Sequence, residues 1–161
     1  MSKVKRSFVF WALLVLLVTL FIFWQWKPIH SFAWKYDEGI NAVKAQLLLD
    51  HHRLYEDIWS DQPPLFTLML AGIFGLFGET VVAGRFLVLV LACLALLSLS
   101  YIATQMAAKA AGLLSACALA LFPHFQELSQ LIMIGLPSIS FGLLAIALGF
   151  RYRNAGKKRW L

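Results

Sequence analysis

Two adjacent carboxylates, Asp37 and Glu38, open the polar stretch after the first apolar run, and Gly39 follows them. Such a pair can abstract a proton from a hydroxyl or hold a divalent cation. Asp37 also stands where a helix N-cap belongs, because Ile40, Val43, Leu47 and Leu48 give the next residues a helical apolar stripe. The residues alone leave capping and catalysis both open. A second group runs from Asp50 through His51, His52, Tyr55, Glu56 and Asp57 to Trp59, and then into Asp61-Gln62-Pro63-Pro64-Leu65. No zinc-type ligand spacing is present, so a solvated loop is the plainer reading of that density. The third is Arg85, about one turn inside a long apolar run. An arginine at membrane depth is expensive and faces a partner, a cavity or the interface. Its fork of donors matches a phosphate, and pairing with Glu79 is the structural alternative. Pro123, His124 and Glu127 form another polar break that could line the same cavity.

The elements that must position these groups are membrane helices. Of the 161 residues, 61% are hydrophobic and 14% charged, with a mean hydropathy of +0.77. A soluble domain would be about half apolar and a quarter charged. The net charge of +6 is spread over short loops, without the basic face of a nucleic-acid binder, and no nucleic-acid partner is expected. Cys93 and Cys117 fall inside apolar runs and read as small buried hydrophobes.

The expected fold class is all-α integral membrane, with about four transmembrane helices over residues 8–26, 81–104, 107–122 and 131–150. A crossing needs about 20 residues to span roughly 30 Å. Lys3, Lys5 and Arg6 mark the N-terminus, and Arg151, Arg153, Lys157, Lys158 and Arg159 mark a tail over 151–161. Positive charge at both ends predicts two cytoplasmic termini and an even number of crossings. The short apolar stretch 63–78 then lies on the outer membrane surface, with Gly72, Gly75 and Gly78 at every third position. Together with a helix over about 38–50 it belongs to one long outer loop, 27–80. The first span has too long an apolar core for a cleaved signal peptide, despite Ser31 and Ala33, and reads as an anchor.

In order, Asp37-Glu38-Gly39, Leu54-Tyr55-Glu56-Asp57-Ile58-Trp59, Pro63-Pro64-Leu65, Leu76-Phe77-Gly78, Ala83-Gly84-Arg85-Phe86 and Phe122-Pro123 resemble the N-terminal part of the GT-C superfamily of polyprenyl-phosphate-dependent glycosyltransferases. The nearest branch is similar to the protein O-mannosyltransferases and the aminoarabinose transferases. The resemblance implies two membrane-surface helices in the first outer loop and a bacterial inner (plasma) membrane location. It implies that Asp37 deprotonates an acceptor hydroxyl, which displaces polyprenyl phosphate from the sugar with inversion. Glu38 would support the loop or a divalent cation (Mg or Mn). Arg85 and Gln62 would bind the donor phosphate, and Tyr55, Asp57, His124 and Glu127 would line the cavity. The partners implied are a polyprenyl-phosphate-sugar donor, a lipid or protein acceptor and the bilayer. Gln62 stands where members have Lys or His, and Gly135 stands where many have an acid. Family enzymes have many more spans, so the expected architecture is GT-C-like but truncated, with the activity of a fragment. The rival is a non-catalytic small membrane subunit, or a degenerate relative packed against a larger complex.

Overall fold

A helix of continuous apolar sequence is buried on all sides only when other helices surround it. In the computed structural model that helix is the fourth. The structure describes residues 3–30 and 36–154. Ser31, Ala33, Lys157, Lys158 and Arg159, named above, lie outside the described residues. Among the described residues seven helices run in order: α1 (Lys3–Ile29), α2 (Tyr36–Leu49), α3 (Pro64–Phe77), α4 (Val81–Met106), α5 (Lys109–Leu121), α6 (Pro123–Leu128) and α7 (Gly135–Asn154). Among the described residues there is no strand, only an isolated bridge between Leu54 and Ile58. The protein is an all-α membrane protein.

Helices α1, α4 and α7 are long and apolar enough to cross a bilayer, and the most apolar stretch of α4 is 56% buried against 17% for α1 and 22% for α7. Helix α4 is thus the hub, packed against α7, α5, α3 and α1. Its Leu87, Val88, Leu91, Ala92, Ala95 and Leu96 form one core with Phe66, Leu70 and Phe74 of α3. The exposed apolar faces of α1 and α7, such as Leu16, Leu20, Ile146 and Leu148, suit lipid rather than water.

Local chemistry sets the ends. Thr80 caps α4 by accepting from the Ala83 amide at 3.2 Å. Pro64 starts α3, where a missing amide hydrogen costs nothing. Gly78 ends it at φ 88°, a conformation that favours glycine. At the α4–α5 crossing Gly112 has no room for a side chain, since a Cβ there would lie 2.6 Å from the Ser100 carbonyl oxygen.

Two expected spans change at their ends. The predicted 107–122 forms the 13-residue α5, which at about 1.5 Å per residue is near 20 Å long, short of a full hydrocarbon core. Pro123 ends its run and starts the separate α6. The predicted 131–150 begins later, at Gly135, because residues 131–134 are drawn off as a connection whose backbone bonds to α2.

Candidate functional site

Helix α2 begins at Tyr36, so Asp37 and Glu38 both fall in its first turn, where carboxylates suit the positive end of the helix dipole. Successive residues on a helix are turned by about 100°. The two side chains therefore leave in different directions, and their surroundings differ completely: Asp37 is exposed, while Glu38 is 0% exposed.

Glu38 meets Arg85 of α4 in a two-pronged ion pair. Arg85 Nε donates to Glu38 Oε1 and Arg85 Nη2 to Oε2, both at 2.8 Å. Arg85 Nη1 also donates to the Ile29 carbonyl at the end of α1, at 3.2 Å. The Ile132 amide donates to Glu38 Oε1 at 3.2 Å, and Asn41, one turn along α2, donates to the Ile132 carbonyl at 2.9 Å. A single peptide unit is thus held from both sides by α2. The joint ties α1, α2, α4 and the α6–α7 connection at one point. Arg85 was expected at a donor phosphate. Here its fork is turned onto a buried carboxylate, the geometry in which Arg and carboxylate bind most strongly. The partner is Glu38, not Glu79, which instead accepts from Gln46 Nε2 at 3.1 Å.

On the other side of the same turn lies a cavity of about 160 Å³. Asp37, Asn41 and Lys44 of α2 line one wall, Trp59, Asp61 and Gln62 the other, and Met133 and Ile134 border it. Lys44 is 6% exposed. Its Nζ lies 3.8 Å from Asp61 Oδ1 and 5.5 Å from the centre of the Trp59 ring. Gln62 Oε1 is buried without a hydrogen-bond partner.

The second wall is stiffened by the loop before it. The Asp57 and Ile58 amides donate to the Arg53 carbonyl at 2.9 and 3.1 Å, and the Tyr55 amide donates to the Ile58 carbonyl at 2.9 Å. Asp57 Oδ2 accepts from the Arg53 amide at 2.8 Å. The Tyr55 hydroxyl donates to the Gln62 carbonyl at 2.6 Å, with Tyr55 itself at φ 72°. Ile58 is buried and anchors the loop.

Of the residues expected to line a cavity, Tyr55 and Asp57 shape this loop from behind. His124 and Glu127 sit together on α6, with His124 Nδ1 3.7 Å from Glu127 Oε2. None of the four lines the cavity. The structure brings Asp37 and Gln62 together in it and leaves Arg85 and Glu38 in the sealed joint. Lys44, Asn41, Trp59 and Asp61 were not expected as lining. The first two could have been found, since 37, 41 and 44 follow the i, i+4, i+7 rhythm of one helix face.

Among the described residues no group of three or more His, Cys, Asp or Glu comes together. The cavity's two carboxylates, Asp37 and Asp61, share it with the Lys44 ammonium.

Residues 61–161, or 101 of the 161, match the family profile described as dolichyl-phosphate-mannose-protein mannosyltransferase. The match begins at Asp61 and takes in Gln62, Arg85 and helices α3 to α7, while Asp37 and Glu38 precede it. No curated protein and no solved structure matches the chain.

Proposed function

The chain belongs to the dolichyl-phosphate-mannose-protein mannosyltransferase family, and from that premise we propose that Asp37 is the general base of a membrane glycosyltransferase acting on the outer face. Family membership indicates a mannosyltransferase-like activity with a lipid-linked sugar donor. The finer reading concerns the reaction. The acceptor hydroxyl gives its proton to the Asp37 carboxylate as its oxygen bonds to the anomeric carbon of the sugar. The bond from that carbon to the phosphate oxygen breaks on the opposite side, and polyprenyl phosphate leaves with the electron pair. Displacement in one step inverts the anomeric centre. A phosphate leaving group needs little help from an acid, which fits a cavity with few catalytic groups.

The observation that carries this reading is the division between the two carboxylates. Glu38 is consumed by Arg85 and the Ile132 amide, whereas Asp37 stands open at a cavity. Arg85 then acts at one remove, fixing the helix that presents Asp37. The outer-face assignment rests on charge. Arg151 and Arg153 close the last turn of α7, and basic residues near helix ends are retained inside. The basic helix ends also support cytoplasmic termini, and the resemblance to the aminoarabinose transferases supports a bacterial inner membrane.

Transfer of radiolabelled mannose from decaprenyl-phosphate mannose to a hydroxyl acceptor, in proteoliposomes, tests the base. Asp37→Asn keeps size and helix-terminal geometry but removes the base, and the rate is expected to fall about a hundredfold or more. An Asn variant as fast as the wild type would end the assignment.

A further inference from the structure

Trp59 is 77% exposed, with Lys44 Nζ 5.5 Å from the centre of its ring, yet the loop that carries it is fixed by Ile58, Asp57 and the Tyr55 hydroxyl. A rigid, exposed indole beside a polar cavity is a platform. Taking the glycosyltransfer reading of Asp37 as its base, we infer that Trp59, Asp61 and Gln62 form the subsite that receives a single carbohydrate ring, with Lys44 on its floor.

Three observations select this ligand class. Size comes first. At about 160 Å³ the cavity is below the roughly 300–1,000 Å³ typical of sites for drug-sized ligands, so it takes one ring and not a whole lipid-linked donor. Charge comes second. Two carboxylates, Asp37 and Asp61, face one ammonium, Lys44. That balance disfavours a phosphate inside and favours a neutral polyhydroxylated group.

The third is unmet hydrogen bonding. Gln62 Oε1 is a buried acceptor without a donor, a condition that costs about 1–3 kcal/mol unless a ligand supplies the donor. A sugar hydroxyl supplies it once the Gln62 side chain turns toward the cavity. Lys44 Nζ, 3.8 Å from Asp61, lies beyond direct hydrogen-bond range of its neighbour and keeps donors for a ring or hydroxyl oxygen. The weakly positive C–H face of a pyranose suits the electron-rich indole face. The ring belongs either to the donor or to a sugar-bearing acceptor, and the chemistry of recognition is the same.

Equilibrium binding to the full chain in nanodiscs decides, using decaprenyl-phosphate mannose, decaprenyl phosphate and methyl α-D-mannoside as probes. If the ring is the donor's, wild type binds decaprenyl-phosphate mannose about tenfold more tightly than decaprenyl phosphate, as stacking of this strength implies. Trp59→Ala then removes that ratio without changing the affinity for decaprenyl phosphate, and Trp59→Phe keeps most of it. If the ring is the acceptor's, methyl α-D-mannoside binds in the presence of saturating donor, and Trp59→Ala abolishes that binding. Should Trp59→Ala change neither, or weaken both decaprenyl ligands equally, Trp59 is an interfacial anchor and the subsite does not exist. Binding needs no turnover, so Asp37→Asn should leave the Trp59-dependent effect intact. A sugar effect that survives while Asp37→Asn still transfers at full rate would overturn the base and spare the subsite.

Discussion

Asp37 and Glu38 are consecutive in the chain and belong to two different regions of the molecule. One region is a joint: Glu38, Arg85, Asn41 and the Ile132 peptide unit, all buried, with each carboxylate oxygen accepting a hydrogen bond. The other is a cavity: Asp37, Lys44, Trp59, Asp61 and Gln62, with an ion pair too long for a hydrogen bond and one acceptor without a donor. Both carboxylate oxygens of the joint have donors, whereas Gln62 Oε1 beside the cavity has none. Two like residues one helical step apart thus serve different ends. One step along a helix suffices to turn one carboxylate into the core and leave the other open to a reactant.

The largest expected effect breaks the joint. Glu38→Gln leaves the buried Arg85 guanidinium without a counter-charge, and Arg85→Met does the same to the Glu38 carboxylate. Each should cost about 3–5 kcal/mol of stability, seen as a large drop in the thermal midpoint in detergent. Replacing both together, Glu38→Met with Arg85→Met, removes both charges and should recover much of that loss. A double variant as unstable as the sum of the two singles would show that the pair does not act as a unit.

A smaller effect is expected at Asn41, which borders both regions. Asn41→Leu strips the Ile132 carbonyl of its donor and should cost about 1–3 kcal/mol in the same melt. No change would mean that the Ile132 connection is held by Glu38 alone. The smallest effect belongs to the cavity. Lys44→Met replaces a buried, loosely paired ammonium by an apolar chain of similar length, and should leave stability unchanged or slightly raised. A loss as large as that from Glu38→Gln would erase the distinction between the two regions.

Much of the scaffold was legible in the sequence because apolar runs and punctuation residues act locally. The runs at 8–26 and 81–104 lie within α1 and α4, and the Pro63-Pro64 pair and Gly78 bracket α3 as their backbone preferences require. What was not legible depends on partners far away along the chain. Glu38 and Arg85 are 47 residues apart, and nothing local distinguishes an arginine waiting for phosphate from one held by a carboxylate. The late start of α7 has the same cause, since residues 131–134 read as apolar helix until α2 claims the Ile132 backbone. Gln25 is a further case. It sits inside an apolar run, yet it is wholly buried, donating to the Gln126 carbonyl at 3.0 Å and to Ser129 Oγ at 3.1 Å and accepting from Gln130 at 2.9 Å. Its polarity reads as an exception in the run and turns out to dock α1 onto α6.

The division between the two carboxylates is tested most directly by measuring sugar transfer and thermal midpoint on Asp37→Asn and Glu38→Gln side by side, in one membrane preparation. The expected result is a crossed pattern. Asp37→Asn should stay close to the wild-type midpoint, because an exposed carboxylate in the first turn contributes only about 0.3–1 kcal/mol to its helix, and lose transfer by about a hundredfold or more. Glu38→Gln should lose much of the midpoint, while the protein that remains folded still transfers. Wild-type transfer by Asp37→Asn, or a Glu38→Gln protein that is fully stable and fully inactive, would assign the chemistry to the wrong carboxylate and contradict the account.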